Sequence, residues 1–430
     1  MERPPNHRLS VKVHTFRSAV EKRRALQATR QRDRRRDAVS RARHLALAVS
    51  SATDDAPSAE EHDGDGAAER TPEEEDMDGG AVSGDEATAF ANARGDSRAR
   101  KRARRSVAAR RRFARQMQLP DWMTAVPADL SSAWFVLPRP EGTRCLVVSA
   151  GGRTVSRKRN GCVLHRFNSA LPHGQRSGRS STSEYTILDC IFQRETGTYY
   201  AIDLLAWKGH QFLECDAEFR LCWLQQKLAD EGVSFVARGN DHPIVAVPAL
   251  PCAPAHLEVC YGGGVATLGY GVDGLLFIRR ASHYCGGSTA DALVWKDAAC
   301  SRFVVDTDAD GVEEEHQAIV LELCADGALC TDDGAALGSI DAVGAAAADV
   351  RVGELLRFTI AGAALSSGDA EHPTSADAEE DGSAPAVFGV EFVAPCGPAR
   401  CLADSWSKIL FQSSVRRAPL PFDALRAALG

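Results

Sequence analysis

The chain reads as an α+β protein, in which a domain of mostly antiparallel sheets follows a helical basic arm and a disordered acidic linker. Three observations predict this. Over residues 117–300, short runs rich in Val, Ile, Phe and Tyr alternate with Gly, Pro or Asn turns, the pattern of strands. One amphipathic stretch, Asp216 to Asp230, interrupts them with helical spacing. Ahead of the domain, charge is segregated by sign: residues 1–50 are basic, 54–86 acidic and 94–115 basic again, beneath a formal net charge of −7 over 430 residues. Such extremes of composition cannot bury a core.

The arm, residues 1–50, carries a capping-box signature at Ser18 and Glu21, and nothing breaks a helix from there to Ala48. Its apolar residues (Val20, Leu26, Val39, Leu45) are too few for a continuous stripe, while arginines cover most of the circumference. A helix of this kind has no core to dock on and forms only partly when alone. By composition it is a solvated or RNA-binding arm.

The linker, residues 51–93, holds Glu60, Glu61, Glu73, Glu74, Glu75 and Asp76 amid Ala, Gly and Ser, and is expected to stay disordered. It serves as a spacer of opposite sign to the arm, or folds back on it. The basic segment 94–116 contains RARKRARR at 98–105. That run reads equally as a nuclear-localisation or phosphate-binding peptide and as a charged helix leading into the domain.

In the domain, FVL, RCLVVSA, CVLHRF, TILDCIF, TYYAIDLLAW and GLLFIRR are the expected strands. Phe219, Cys222, Trp223 and Leu228 are expected on the buried face of the helix. Trp134, Trp207 and Trp223 fall inside strand or helix patterns and are assigned to the core. Beyond residue 300, RFVVDTD, AIVLELC, LLRFTI and VFGVEFVA read as strands of a small, barrel-like β domain with a disordered insert at 365–385. Leu402 to Gly430 reads as an ordered tail ending in a short helix. Thirteen cysteines are scattered without a C-x-x-C pair or His partners at metal-ligand spacing, and no signal peptide precedes them. Reduced thiols and no metal are expected, and no apolar run approaches the roughly 20 residues that span a bilayer.

Three segments carry the chemistry: RPEGTR at 139–144, TILDCI at 186–191 and DGLLF at 273–277. They resemble the K-x-D-G-x-R, acidic-strand and D/E-G-L-I motifs of the covalent nucleotidyltransferases, the mRNA capping enzymes and polynucleotide ligases, with the reactive groups exchanged. Arg139 stands where the nucleophilic lysine would be, and a guanidinium has no free lone pair. Ile191 stands where a metal-holding glutamate would be.

Seven segments in one order, WFVLPRPEGTRCLVVSAGGRT, FNSALPHG, YTILDCIF, TYYAIDLLAWKGH, FRLCWLQQKL, DGLLF and HYCGGST, make the stretch from Leu119 to Trp295 similar to the snurportin family. These are import adaptors that bind the 2,2,7-trimethylguanosine (m3G) cap of spliceosomal small nuclear RNAs. The resemblance implies an mRNA capping enzyme / DNA ligase nucleotidyltransferase-like fold, no catalysis and no cofactor. It places Trp295 as the base-stacking indole, Trp122 as the tryptophan covering the cap, Leu119 as a pocket wall, and Arg144 with Arg159 on the triphosphate. Lys158 or Arg157 could substitute for Arg159. At Pro120 the family has Ser, so one hydrogen bond to the cap would be absent. Arg139, a Cys in vertebrate members, either adds a phosphate contact or pairs with Glu141. Core placement is the alternative for both site tryptophans, and Asp273 is expected to support the sheet rather than touch ligand.

The order of the arm is similar to the importin-β-binding segment of the family, which implies Arg23, Arg24, Arg34, Arg35, Arg36, Arg41 and Arg43 as its contacts. Implied partners are importin-β and m3G-capped small nuclear ribonucleoprotein, with an exportin as a further candidate for recycling and no membrane. The implied location is shuttling between cytoplasm and nucleus. Two alternatives stand beside this reading: an active RNA guanylyltransferase or ligase with a displaced lysine, Lys158 or Lys296, and a binder of the ordinary 7-methylguanosine cap.

Overall fold

The structure, a computed structural model, describes residues 113, 116–175, 184–262, 267–302, 304–305, 316–340, 350–361, 389–396 and 402–430. The arm, the acidic linker, the run 98–105 and the insert 365–385 lie outside the described residues. Among the described residues, no helix is long and apolar enough to cross a membrane.

The elements follow in chain order. First come β1 (Gln118–Trp122), α1 (Leu130–Ala133), β2 (Trp134–Pro140), β3 (Thr143–Ala150), β4 (Arg153–Lys158), β5 (Val163–Phe167), β6 (Tyr185–Gln193), β7 (Thr198–Trp207) and β8 (His210–Gln211). Next are α2 (Ala217–Glu231), β9 (Ile244–Ala246), β10 (Leu250–Pro251), α3 (Pro254–Gly262), β11 (Val272–Arg279) and β12 (Gly287–Trp295). The carboxy-terminal third adds β13 (Ala318–Leu323), β14 (Ala328–Cys330), β15 (Ala336–Ser339), β16 (Leu355–Ala361), β17 (Gly389–Pro395), α4 (Trp406–Val415) and α5 (Phe422–Ala427).

Two sheets build the first unit. A seven-stranded sheet runs β5-β4-β3-β6-β7-β8 with β9 paired to β7, and a five-stranded sheet runs β1-β12-β11-β2-β10. Pairing is antiparallel except for β1 with β12 and β7 with β9. The expected class, α+β with mostly antiparallel sheets, is the one observed. Because strand side chains alternate between faces, the residues of each core cluster fix which way every strand points. Phe135 and Leu137 of β2 and Leu276 and Ile278 of β11 meet Ile191, Tyr200 and Ile202 of the larger sheet, so these line the space between the sheets. Trp134, Val136, Leu275 and Phe277 occupy the opposite face of the smaller sheet, covered by α3 and α5. Both sheets are thus apolar on two sides, which accounts for the near-continuous hydrophobic runs of β2, β6 and β7.

Helix α2 ends on Gly232, which takes the left-handed conformation (φ 63°) that favours glycine. Its buried face is Ala217, Arg220, Leu221, Leu224 and Leu228. This corrects the sequence reading: Phe219 is 48 % exposed and Cys222 is exposed, because a buried arginine takes the inward position. Arg220 is held by Asp203 at 2.9 Å on each guanidinium bond and by the carbonyls of Cys215 and Ser282 at 2.6 and 2.8 Å. A charged residue was not expected on the core side, and only this complete set of partners makes it stable there.

The carboxy-terminal sheet is an antiparallel meander in the order β15-β14-β13-β16-β17. Among the described residues its two edge strands are not paired with each other. Of RFVVDTD, the described residues Arg302, Val304 and Val305 are bends, and the rest lies outside the described residues. Helix α4, not distinguished in the sequence, closes one face of the meander through Trp406 and Ile409. Replacing Arg220 by Ala strands Asp203 as a buried unpaired charge; the expected loss is about 3–5 kcal/mol in urea unfolding.

Candidate functional site

The turn in RPEGTR joins β2 of one sheet to β3 of the other, so its two arginines face the inter-sheet space from opposite walls. Gly142 (φ 148°) is required at this crossing, since a Cβ there would lie 2.3 Å from the Phe192 carbonyl oxygen. Arg139 shares the inward parity of Phe135 and Leu137. Arg144 shares that of Leu146, on the face of the larger sheet that also carries Asp189 and Ile191.

On the first wall Asp273 is the node. Its carboxylate accepts from the Arg139 guanidinium, from Lys296 Nζ at 2.8 and 3.0 Å, and from Ser301 Oγ. The side chains of Arg139 and Asp273 are 8 % and 6 % exposed. Gly274 (φ 87°) lets this cluster close, because a Cβ there would stand 2.6 Å from both Lys296 Cγ and the Trp295 carbonyl oxygen. The Lys296 ammonium also lies 5.7 Å from the centroid of the Trp122 ring. Trp122, half-buried, pairs in register with the inward-facing Val294 and so borders the same space. Two cations, a shared carboxylate and an indole therefore form one contiguous group. Arg139 does not pair with Glu141; that carboxylate goes to Arg302 instead.

On the second wall Arg144 binds Asp189 through Nε at 3.1 Å and Nη2 at 2.7 Å. Tyr284 Oη donates to the same carboxylate at 2.7 Å and accepts from the Gln118 amide at 3.0 Å. Burial first, and then the adjacent Asp189 charge, raise the Tyr284 phenol well above its ordinary value, so it remains a donor. These contacts fix the orientation of Arg144 and tie β1 to the larger sheet. Ile191, at the position of the metal-holding glutamate, is wholly buried in apolar surroundings. Among the described residues no group of His, Cys, Asp and Glu is arranged to hold a metal. Burial also raises the thiols of Cys145 and Cys190 well above their usual value and pushes Cys252, Cys260 and Cys300 up to about 12, so none of these is a thiolate nucleophile at neutral pH.

The structure separates other residues that the sequence grouped. Trp295 pairs with Leu275 and faces away from the inter-sheet space. Its side chain is 0 % exposed, its Nε1 donates to the Leu420 carbonyl at 3.0 Å, and Tyr261 and Phe422 pack around it. It is a core residue in this structure. Lys158 pairs with Cys145, so it lies on the opposite face of the larger sheet from Arg144, near His165. Arg157, paired with Leu146 near the end of β4, lies on the Arg144 side. Arg159 is exposed in the turn, Leu119 is buried against Leu402, and Pro120 is half-buried beside Thr289. The sequence reading missed Tyr284 as a partner of Asp189 and gave Asp273 only a supporting role. Both lie inside quoted segments, but their partners come from strands far away in the chain.

Two apposed sheets thus carry guanidinium groups on both facing walls, with the Trp122 indole beside the Lys296 ammonium. Residues 116–296 match the family described as "Snurportin1, m3G cap-binding domain", and that segment is an m3G cap-binding domain of the snurportin kind. Solved structures similar in part to the chain are DNA ligases. A mycobacterial DNA ligase D complexed with ATP and MES is 14 % identical, with a TM-score of 0.28 over 58 % of this chain and 90 % of that one. A Lig E DNA ligase is 12 % identical, with a TM-score of 0.27 over 65 % and 98 %. The Chlorella virus DNA ligase-adenylate is 10 % identical, with a TM-score of 0.29 over 57 % and 94 %.

Substituting Gly274 by Ala forces a side chain into a left-handed position against Lys296. We expect a loss of about 1–3 kcal/mol in urea unfolding.

Proposed function

We propose that this protein is a nuclear import adaptor that carries small nuclear ribonucleoproteins by their m3G cap and recruits importin-β through its amino-terminal arm. The observation that carries this reading is the family match over 116–296, which falls on the segment that builds both walls of the cleft. Binding without catalysis follows from the chemistry of the groups present. Arg139 replaces the amine that would attack a phosphate, and Lys296 is spent on Asp273.

Methylation at N7 puts positive charge on guanine, which favours stacking on an indole face by about 1–3 kcal/mol. Trp122, beside the cleft, is the indole offered for this. Two methyls on N2 remove both donors there, so the pocket gains by apolar contact rather than by a carboxylate. The triphosphate bridge suits Arg144 and Arg139, with Arg157 or Arg159 at the outer turn. The arginines of the arm (Arg23, Arg24, Arg34, Arg35, Arg36, Arg41 and Arg43) suit an acidic receptor, which they would meet through charge-assisted contacts. Shuttling between cytoplasm and nucleus, with return by an exportin, completes the cycle. The reading of the arm rests on its sequence alone.

The deciding measurement is tryptophan quenching on titration with m3GpppG, 7-methyl-GpppG and GpppG. The trimethylated cap should bind best, Trp122→Ala should weaken it about tenfold or more, and Trp295→Phe should leave affinity nearly unchanged while lowering stability. Equal binding of all three caps would end the selectivity reading. Incubation with labelled GTP and a divalent cation should leave no label on the protein; a lysyl-GMP adduct, above all on Lys296, would replace this function by nucleotidyl transfer. Importin-β should bind the full chain with an affinity that falls steeply with salt and is largely lost on changing Arg34, Arg35 and Arg36 to Ala.

A further inference from the structure

The carboxy-terminal unit reaches into the cleft. Helix α4 presents two faces. Trp406 and Ile409 enter the core of the meander sheet, and three polar contacts fasten the helix to that unit: Gln317 Nε2 donates to the Ile409 carbonyl at 2.8 Å, the Trp406 amide donates to Asp333 at 2.9 Å, and Lys408 binds Asp404 at 3.1 Å. Ser407 and Phe411, four residues apart and hence on one helical face, turn instead to β1. Ser407 Oγ accepts the Trp122 amide at 3.2 Å and lies 3.2 Å from Asp121 Oδ1, to which it donates. The Phe411 ring packs on the Trp122 indole with centroids 4.7 Å apart at 41°. Nearby, Leu402 covers Leu119, and Ser288, the register partner of Leu119, donates to Asp332 at 3.2 Å. Among the described residues strand β1 lies at the edge of its sheet, paired with β12. Ser407 thus supplies the acceptor for the Trp122 amide, and Phe411 the aromatic neighbour of an indole that also lies by the Lys296 ammonium.

We infer that Phe411 and Ser407 are positioning residues for the cap, fixing the Trp122 indole so that the 316–416 unit is a working part of the binding site and not an appended domain. The inference rests on the cap-binding reading above. A partner ring on Trp122 removes the side-chain freedom that a stacked base would otherwise have to freeze, so affinity falls when the ring is removed even though Phe411 need not touch the ligand.

The test is a double-mutant cycle in the full chain, with m3GpppG titrated and tryptophan quenching followed. Phe411→Ala should weaken binding about 3–10-fold and Ser407→Ala about 2–5-fold, and Phe411→Tyr should restore the parental affinity. In the Trp122→Ala background Phe411→Ala should have no further effect, a non-additivity that general loss of stability does not produce. If Phe411→Ala unfolds, Phe411→Leu replaces it with the same expected signs. Parental affinity in folded Phe411→Ala, or an equal loss with and without Trp122, overturns the inference while leaving cap binding intact. Absence of m3GpppG binding by the parent chain overturns the reading beneath it.

Discussion

Asp273 is the charge on which the smaller sheet and its cleft are organised. Its carboxylate holds Arg139 from β2 and Lys296 just past β12, and Ser301 from the chain that follows, while its own backbone belongs to β11. Three neighbouring segments are thereby locked at the end where the chain crosses to the other sheet. A carboxylate this deeply buried is tolerable only with cations against it, and removing either cation would leave charge in a medium that solvates it poorly. Arg144 and Asp189 repeat the arrangement on the facing wall, with Tyr284 as the neutral third partner.

The arrangement sets two buried cation–carboxylate groups on facing sheets. Glycine is needed at 142 and 274 because a Cβ there would meet the Phe192 carbonyl oxygen, and Lys296 with the Trp295 carbonyl, well inside contact distance. Position 139 holds a guanidinium and position 191 a wholly buried apolar side chain. The carboxy-terminal unit then supplies what the two sheets lack, a firm backing for the indole at the rim.

Much of the domain was legible from composition and alternation. The strands at FVL, RCLVVSA, TILDCIF and TYYAIDLLAW lie where the apolar runs placed them, since a strand buried on both faces must be apolar throughout. The face of α2 was not legible, because Arg220 looks solvent-facing until Asp203 and two carbonyls are brought to it. Nor was the direction of Trp295. Strand β1 pairs with β12 across a register shift in which Pro120 opposes Thr289 and Asp121 opposes Leu293. With a side-chain period of two, an irregularity of this kind decides which of two adjacent residues faces the cleft. Lys296 turned inward, and Trp295 turned out to the core.

The sequence by itself determined the segregation of charge along the chain, the strand-rich domain over 117–300, the family resemblance and the arginine at position 139, because each is a property of residue type or of local order. Tertiary structure alone decided which cations share a carboxylate, which tryptophan borders the cleft and that α4 packs behind it. The physical reason is that these depend on strand register and on contacts between residues more than a hundred positions apart, such as Arg139 with Asp273 and Trp122 with Ser407, which no local pattern records.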